Sequence, residues 1–219
     1  MDIIARVKTD YKEKFGIPRQ SGMTNAKGLI VFEPEFRDPN YIRGIEEFNY
    51  LWIIWQFSEN VRAKHNPTVR PPKLGGEEHL GVFATRSPFR PNNMGLSSVK
   101  LLEVVDYEGG KALLVEGVDM LDGTPIFDIK PYVPYSDIHD DATSGFTEKT
   151  LGKGILTVDF PKELLLKIKE EKREPLLKTL ELDPRPAFME KMDREYGIKF
   201  DEYNVTFTVN DGRLTVTGV

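Results

Sequence analysis

Residues 81–98, Gly-Val-Phe-Ala-Thr-Arg-Ser-Pro-Phe-Arg-Pro-Asn-Asn-Met-Gly-Leu-Ser-Ser, set Thr85, Arg86, Ser87, Arg90 and Asn92 into a stiff frame. Val82 and Phe83 suit a half-buried strand, so the segment reads as opening in β structure. Pro88 and Pro91 then fix φ, lack an N–H, and push the residues before them out of helical conformation. Gly95 releases the chain, and residues 96–105 read as strand again. A surface turn is satisfied by Pro, Gly and Asn and has no need of two arginines. A guanidinium fork matches the geometry of a carboxylate or phosphate. The segment therefore reads as a site for an anionic or carboxylate-bearing ligand. A proline-rich hairpin with solvated arginines is the plain alternative, and composition alone does not separate the two.

The elements that must position this loop are short. Residues 3–7 alternate like an opening strand, and residues 11–20, with Lys12, Lys14 and Arg19 around Phe15 and Pro18, read as an extended loop. Residues 28–32 form a second strand stopped by Pro34. Tyr41, Ile42, Ile45 and Phe48 share a helical face within 40–49. Residues 50–57, dense in Trp, Ile and Phe, read as a buried central strand, with Trp52 and Trp55 packed in the core rather than stacking on a ligand. After the Pro/Gly-rich loop 67–76, residues 80–84, 96–105, 112–118 and 125–129 give further strands. Glu108-Gly109-Gly110 and Asp122-Gly123 mark turns. Many short strands with Gly/Pro turns point to a barrel or sandwich and away from alternating βα units.

Residues 143–154 are small, polar and glycine-containing, and read as a linker between a β-rich body, 1–142, and an appendage, 155–219. Gly152-Lys153-Gly154 is part of that linker, not a phosphate loop. Beyond it, Leu164, Leu165, Ile168, Leu176, Leu177 and Leu180 form an apolar stripe on a helical segment, 161–182, which Pro161 opens and Pro175 should split. Residues 203–209 and 213–219 alternate around Asn210-Asp211-Gly212, a strong hairpin signal.

The 219 residues suffice for one domain with a small addition, and 39% apolar with 30% charged residues fits a globular chain. The absence of cysteine excludes disulfides, thiolate zinc sites, iron–sulfur clusters and a cysteine nucleophile, and is compatible with a reducing cytoplasm. His65, His79 and His139 do not stand at metal-ligand spacing, so no metal is expected. The longest apolar run, 51–55, is far too short to span a membrane. Met1-Asp2 leads into strand-like sequence without a signal peptide's basic start and apolar core. The net charge is −5, but between residues 61 and 100 Arg62, Lys64, Arg70, Lys73, Arg86, Arg90 and Lys100 outweigh Glu77 and Glu78. These residues read either as a basic face able to steer a polyanion or as scattered solvated charges.

The arginine-bearing segment resembles the signature of the TsaA-like (TrmO) family, a β-barrel class of S-adenosylmethionine-dependent methyltransferases. Four more stretches match the same family, in order along most of the chain: residues 11–20, 67–76, 119–132 and Asp183-Pro184-Arg185-Pro186-Ala187-Phe188. The resemblance implies a mainly β fold, one barrel followed by a small C-terminal α+β domain. It implies a homodimer with the pocket near the subunit interface. It implies S-adenosylmethionine as cofactor and, as substrate, tRNA bearing threonylcarbamoyladenosine beside the anticodon, methylated on the exocyclic nitrogen.

A methyl donor of this kind needs cations or N–H groups for its carboxylate, acceptors for its ammonium and ribose, and an apolar slot for adenine. Arg19 and Arg86 supply cations, Asp119 and Asp122 acceptors, and Leu96 and Met120 an apolar wall. By resemblance, cofactor contacts fall on Pro18, Arg19, Gln20, Ser58, Glu59, Arg86, Leu96, Asp119, Met120, Leu121 and Asp122. Arg90 or Lys130 could hold the threonyl carboxylate, and Asp122 or Asp128 could accept a proton or bind the donor's cationic end. Each has a plain alternative: Asp122 as a turn residue, Asp128 and Lys130 as an exposed strand pair, Arg185 as a loop ion pair. The chain departs from the family pattern at Asn93-Met94, where Pro-Ile is expected, and at Ser58-Glu59. A non-catalytic RNA-binding barrel, or methylation of another small acceptor, fits the same residues.

Overall fold

Period-two alternation of small and branched apolar residues decides the main sheet. Ala5 and Val7, Ile30 and Phe32, Leu51, Ile53 and Trp55, and Val99 and Leu101 all turn inward and are buried. Each Val, Leu, Ile or Phe side chain among them contributes about 1.5–3 kcal/mol when fully buried. The computed structural model describes every residue except 62, 63, 65, 72, 73, 75–77, 151–153 and 186–193. Its strands in chain order are β1 (Ala5–Thr9), β2 (Lys27–Phe32), β3 (Tyr50–Gln56), β4 (Thr68–Val69), β5 (Leu80–Gly81), β6 (Met94–Tyr107), β7 (Gly110–Glu116), β8 (Pro125–Pro131), β9 (Thr157–Asp159), β10 (Tyr196–Phe200), β11 (Tyr203–Asn210) and β12 (Arg213–Gly218). The α-helices are α1 (Pro134–Asp137), α2 (Lys162–Leu165) and α3 (Glu170–Glu181).

Six strands close into a barrel in the order β1-β2-β7-β6-β3-β8, with β8 pairing back onto β1. Every neighbouring pair is antiparallel. The mainly β, single-barrel expectation therefore holds, and closure leaves the barrel no free edge. Antiparallel pairing has a positional consequence. The connections β1→β2 (residues 10–26), β3→β6 (57–93) and β7→β8 (117–124) all leave from the same end of the barrel. The β6–β7 hairpin lies at the other end, where Glu108 and Gly109 both take positive φ, 48° and 78°, as a two-residue turn requires.

The C-terminal part builds a second sheet, β10-β11-β12-β9, with α2 and α3 beside it. Tyr11 joins it to the barrel. Its ring is buried edge-on against Phe200, centroids 5.7 Å apart, and its hydroxyl meets Thr24 Oγ1 at 3.0 Å and Thr179 Oγ1 at 3.3 Å. The Asp201 N–H donates to the Asp10 carbonyl at 2.7 Å, and Lys172 of α3 reaches Asp10 Oδ1 at 2.5 Å.

Four sequence readings change. Residues 82–84 form a 3₁₀ turn, not a strand, because the Thr85 N–H and hydroxyl both close onto the Val82 carbonyl; Phe83 is left 79% exposed. Strand β3 is buried on one face only. Trp55 faces the core, but Trp52 lies on the outer face, its indole donating to Asp137 Oδ2 at 2.9 Å and its ring against Tyr132. Pro175 sits inside α3 without splitting it. The helical segment breaks instead at residues 166–169, where the Arg173 Nε donates to the freed carbonyls of Leu165 and Ile168. Strands β9 and β10 were not anticipated. The turn between β10 and β11 carries no glycine; Asp201 takes the left-handed conformation itself, φ 52°.

Candidate functional site

The three connections at one barrel end touch one another. Arg86, on the β3→β6 connection, donates through Nη1 to Gln20 Oε1 of the β1→β2 loop at 2.6 Å. Lys14 of that loop donates to the Glu59 carbonyl at 2.7 Å, in the 3₁₀ turn Ser58–Asn60. The β7→β8 loop joins through Asp122, whose backbone N–H donates to the Tyr11 carbonyl at 2.9 Å, and through Gly22 N–H to the Gly117 carbonyl at 2.9 Å. Asn93 completes the frame. It is buried at φ 44°, a conformation asparagine tolerates, and its Nδ2 donates to the Pro88 carbonyl at 2.7 Å and the Asn60 carbonyl at 3.4 Å. The departure from the family pattern at this position thus braces the arginine loop.

Asp119 is the chemically distinctive group. Its Oδ1 accepts from Ser97 Oγ at 2.6 Å, and Ser97 accepts from Trp55 Nε1 at 2.9 Å. Burial pushes the Asp119 carboxyl up to about 6, against the opposing pull of the Ser97 hydroxyl, backbone N–H groups at Asp119 and Ser21, and the Arg86 charge. A half-buried carboxylate facing a guanidinium within a mouth of loops suits recognition of a zwitterion.

The other expected residues fall in three places. Pro18 is buried, Arg19 exposed and Gln20 between, all in the β1→β2 loop; Ser58 and Glu59 are exposed. Asp122 has both oxygens engaged, Oδ1 by Thr9 N–H at 2.9 Å and Oδ2 by Lys12 Nζ at 2.9 Å, so it braces the mouth as well as bordering it. Leu121 begins the same turn, its carbonyl accepting from Thr124 N–H at 3.1 Å. Met120 is fully buried in the core and offers its carbonyl to Thr9 Oγ1, so its side chain does not form an open wall. Arg90 donates to the Thr85 carbonyl at 3.0 Å within its own loop.

Leu96, Asp128 and Lys130 sit on the outer barrel surface. Leu96 of β6 and Asp128 of β8 both stand opposite Ile54 of β3, in one cross-strand row. Two strand spacings put them about 10 Å apart. Lys130 pairs with Asp128 at 3.0 Å, and Leu96 is 56% exposed. Arg185 forms a buried fork on Asp183, Nε to Oδ1 at 2.8 Å and Nη2 to Oδ2 at 2.9 Å, in the C-terminal part and not at this mouth. Of the basic stretch, Arg62 and Lys73 lie outside the described residues, and Arg70 donates to His79 Nε2 at 2.9 Å; Gly152, Lys153 and residues 186–188 also lie outside the described residues. Sequence reasoning missed Ser97. Its signal was the inward period of β6, which places Gly95 and Ser97 on the core face of the same strand.

The donor set fits the amino-acid end of a sulfonium cofactor: a guanidinium for its carboxylate and a half-buried carboxylate for its cationic end. The comparisons agree with that chemistry. The model of the tRNA-methyltransferase O N-terminal domain matches residues 6–138, and that of the TrmO C-terminal domain matches residues 153–219. The tRNA (adenine(37)-N6)-methyltransferase of Escherichia coli is 37% identical over 224 residues, covering 97% of this chain and 94% of that protein. The protein of that name from Eikenella corrodens is 39% identical over 78% of this chain and 97% of its own. The crystal structure of TrmO from Pseudomonas aeruginosa superimposes with a TM-score of 0.75 at 28% identity, covering 98% of this chain and 95% of that one. Both parts of the chain, the barrel and the C-terminal sheet, match the two domains of one family, and this chain belongs to the tRNA-methyltransferase O (TrmO) family.

Proposed function

We propose that this chain methylates the exocyclic N6 of threonylcarbamoyladenosine next to the anticodon of tRNA. As a member of its family it is an S-adenosylmethionine-dependent tRNA methyltransferase; the proposal is the base and its modification. The names of the relatives, which specify N6 of adenine 37, support it. The observation that carries the proposal is the meeting of Arg86, Gln20 and Asp119 where three barrel connections converge.

When bound, S-adenosylmethionine supplies an electrophilic methyl group on a cationic sulfur. Arg86 and Gln20 would hold its carboxylate side, and Asp119 would accept from its ammonium. The acceptor nitrogen carries a carbamoyl group, so its N–H is more acidic than in adenine and its lone pair less nucleophilic. Its methylation needs in-line placement, which can be the largest contribution, and a proton acceptor, which adds roughly 10²–10⁴-fold. Asp122 is braced by Thr9 and Lys12 of another part of the mouth, whereas the Asp128 carboxylate is held from its own strand, by Ile129 N–H and the exposed Lys130, so Asp128 is the better acceptor for the N6 proton. Lys130 beside it holds the threonyl carboxylate, with Arg90 as the second cation.

The exposed apolar side chains Leu96 and Phe83 support a homodimer, and a tRNA substrate supports a cytoplasmic location. Residues 1–142 form the donor-binding barrel domain and 155–219 the appendage on either side of the linker 143–154. Mass spectrometry of nucleosides, from tRNA with and without the threonylcarbamoyl group after incubation with donor, tests the proposal. A methyl gain confined to threonylcarbamoyladenosine is expected; methylation of unmodified adenosine, or none, overturns it.

A further inference from the structure

We propose that Ser97 is the positioning residue of the donor site: inside the barrel it accepts the Trp55 indole N–H and directs its own proton to Asp119, fixing that carboxylate as an acceptor at the mouth. This rests on Asp119 receiving the donor's cationic end.

The direction of the chain of hydrogen bonds follows from chemistry. An indole N–H can only donate. Ser97 is 1% exposed, so its hydroxyl must find its partners inside the protein. Trp55 takes one lone pair at 2.9 Å, and the hydroxyl proton points to Asp119 Oδ1 at 2.6 Å, a length typical of a bond to an ionised oxygen. Trp55 cannot swing away. Its ring packs against Phe57, centroids 4.2 Å apart, and lies flat over Gly95, where a Cβ would stand 2.3 Å from Cε2. The glycine, the tryptophan and the serine form one rigid support under the carboxylate.

Burial works against that carboxylate. The groups that oppose burial are the Ser97 hydroxyl, foremost, then the N–H groups of Asp119 and Ser21, then Arg86. Tyr11, the other titratable neighbour, is held neutral, its phenol pushed up to about 12 by burial. Removing the Ser97 hydroxyl leaves the desolvation in place and deletes its largest counterweight. The carboxyl then protonates at higher pH and loses its acceptor form near neutrality.

Calorimetric titration of the full-length protein with S-adenosylmethionine across pH 5–9 tests this, on wild type, Ser97→Ala, Ser97→Thr and Asp119→Asn. Wild-type affinity should fall as pH drops through about 6. For Ser97→Ala the fall should begin about one pH unit higher, with affinity roughly twofold weaker at pH 7, approaching tenfold weaker at pH 5, and near wild type at pH 9. Ser97→Thr should restore the wild-type midpoint, and Asp119→Asn should abolish the step. A Ser97→Ala profile with the wild-type midpoint, or a loss equal at every pH, overturns the role of Ser97 while donor binding stands. A step that survives in Asp119→Asn overturns it as well. A wild type that binds no donor at any pH overturns the donor site itself. Should Ser97→Ala not fold, Trp55→Phe frees the hydroxyl to rotate and should move the midpoint in the same direction; an unmoved midpoint overturns the proposal.

Discussion

Arg86 Nη1 donates to Gln20 Oε1 at 2.6 Å across 66 residues of sequence. The bond links two barrel connections that share no strand pairing, and it turns the guanidinium toward the mouth that holds Asp119. Both side chains are solvent-accessible, so their bond adds little to stability. Arg86→Ala should therefore unfold within about 0.5 kcal/mol of wild type. Its affinity for S-adenosylmethionine should fall at least roughly tenfold, the loss of one charge-assisted hydrogen bond. Urea unfolding and calorimetry on the same preparation check both halves, and an unchanged affinity removes Arg86 from the site.

Gly95 shows the opposite balance. It faces inward beneath Trp55, and no rotamer change of an alanine could avoid the indole, because the clash is at Cβ itself. Gly95→Ala should cost about 1–3 kcal/mol as an overpacked core position. Because Trp55 also holds Ser97, donor affinity should drop along with stability. A shift in urea midpoint, measured with and without donor, reports both effects.

Lys172 and Asp10 couple the C-terminal part to the barrel at 2.5 Å. Burial raises the Asp10 carboxyl above its ordinary value, and Lys172 is the main group pulling it back. The folded value thus lies above the unfolded one. The cost of keeping Asp10 ionised is full above the folded value and vanishes as pH falls below the unfolded value. Lys172→Met removes the counter-charge and raises the folded value further. It should destabilise by about 2–3 kcal/mol at pH 7, under the range for a fully buried pair, and by markedly less at pH 4, where Asp10 can take up a proton. Equal losses at both pH values would show that Lys172 acts through packing alone.

The barrel was legible because its evidence is local. Period-two alternation, Glu108-Gly109 and Asp211-Gly212 each announce themselves within a few residues, and both turns take positive φ as such pairs do. What was not legible depended on partners far away. Pro175 stays within α3 because Arg173 satisfies the carbonyls where the helical segment breaks instead, and Leu176 and Leu180 bury the turn around it. Trp52 stands three residues from Trp55 and so takes the other face of the strand, where its indole N–H is satisfied by Asp137, 85 residues on. At the site, residue types in the rigid loops were readable from their chemistry. The division of labour between Asp119 and Asp122 was not, because it depends on which carboxylate already has its partners.

That division bears on the proton. Asp122 is engaged by Thr9 and Lys12, whereas Asp128 sits in the outer row with Ile54 and Leu96 and is paired only with its own strand, Ile129 N–H at 2.9 Å and Lys130 at 3.0 Å, among the bonds its carboxylate makes to described residues. A surface pair of this kind contributes little to folding, so Asp128→Asn should melt like wild type. It keeps the shape and removes the basic oxygen. If Asp128 takes the N6 proton, the turnover rate should fall roughly 10²–10⁴-fold with donor affinity unchanged. Lys130→Gln should instead raise the KM for tRNA, with a smaller effect on kcat and none on donor binding. Single-turnover methylation with saturating tRNA separates the two, since saturation rescues a binding defect and leaves a chemical one. If Asp128→Asn retains the wild-type single-turnover rate, the proton goes elsewhere, and Asp122, freed of Lys12 by Lys12→Met, becomes the carboxylate whose rate should then change.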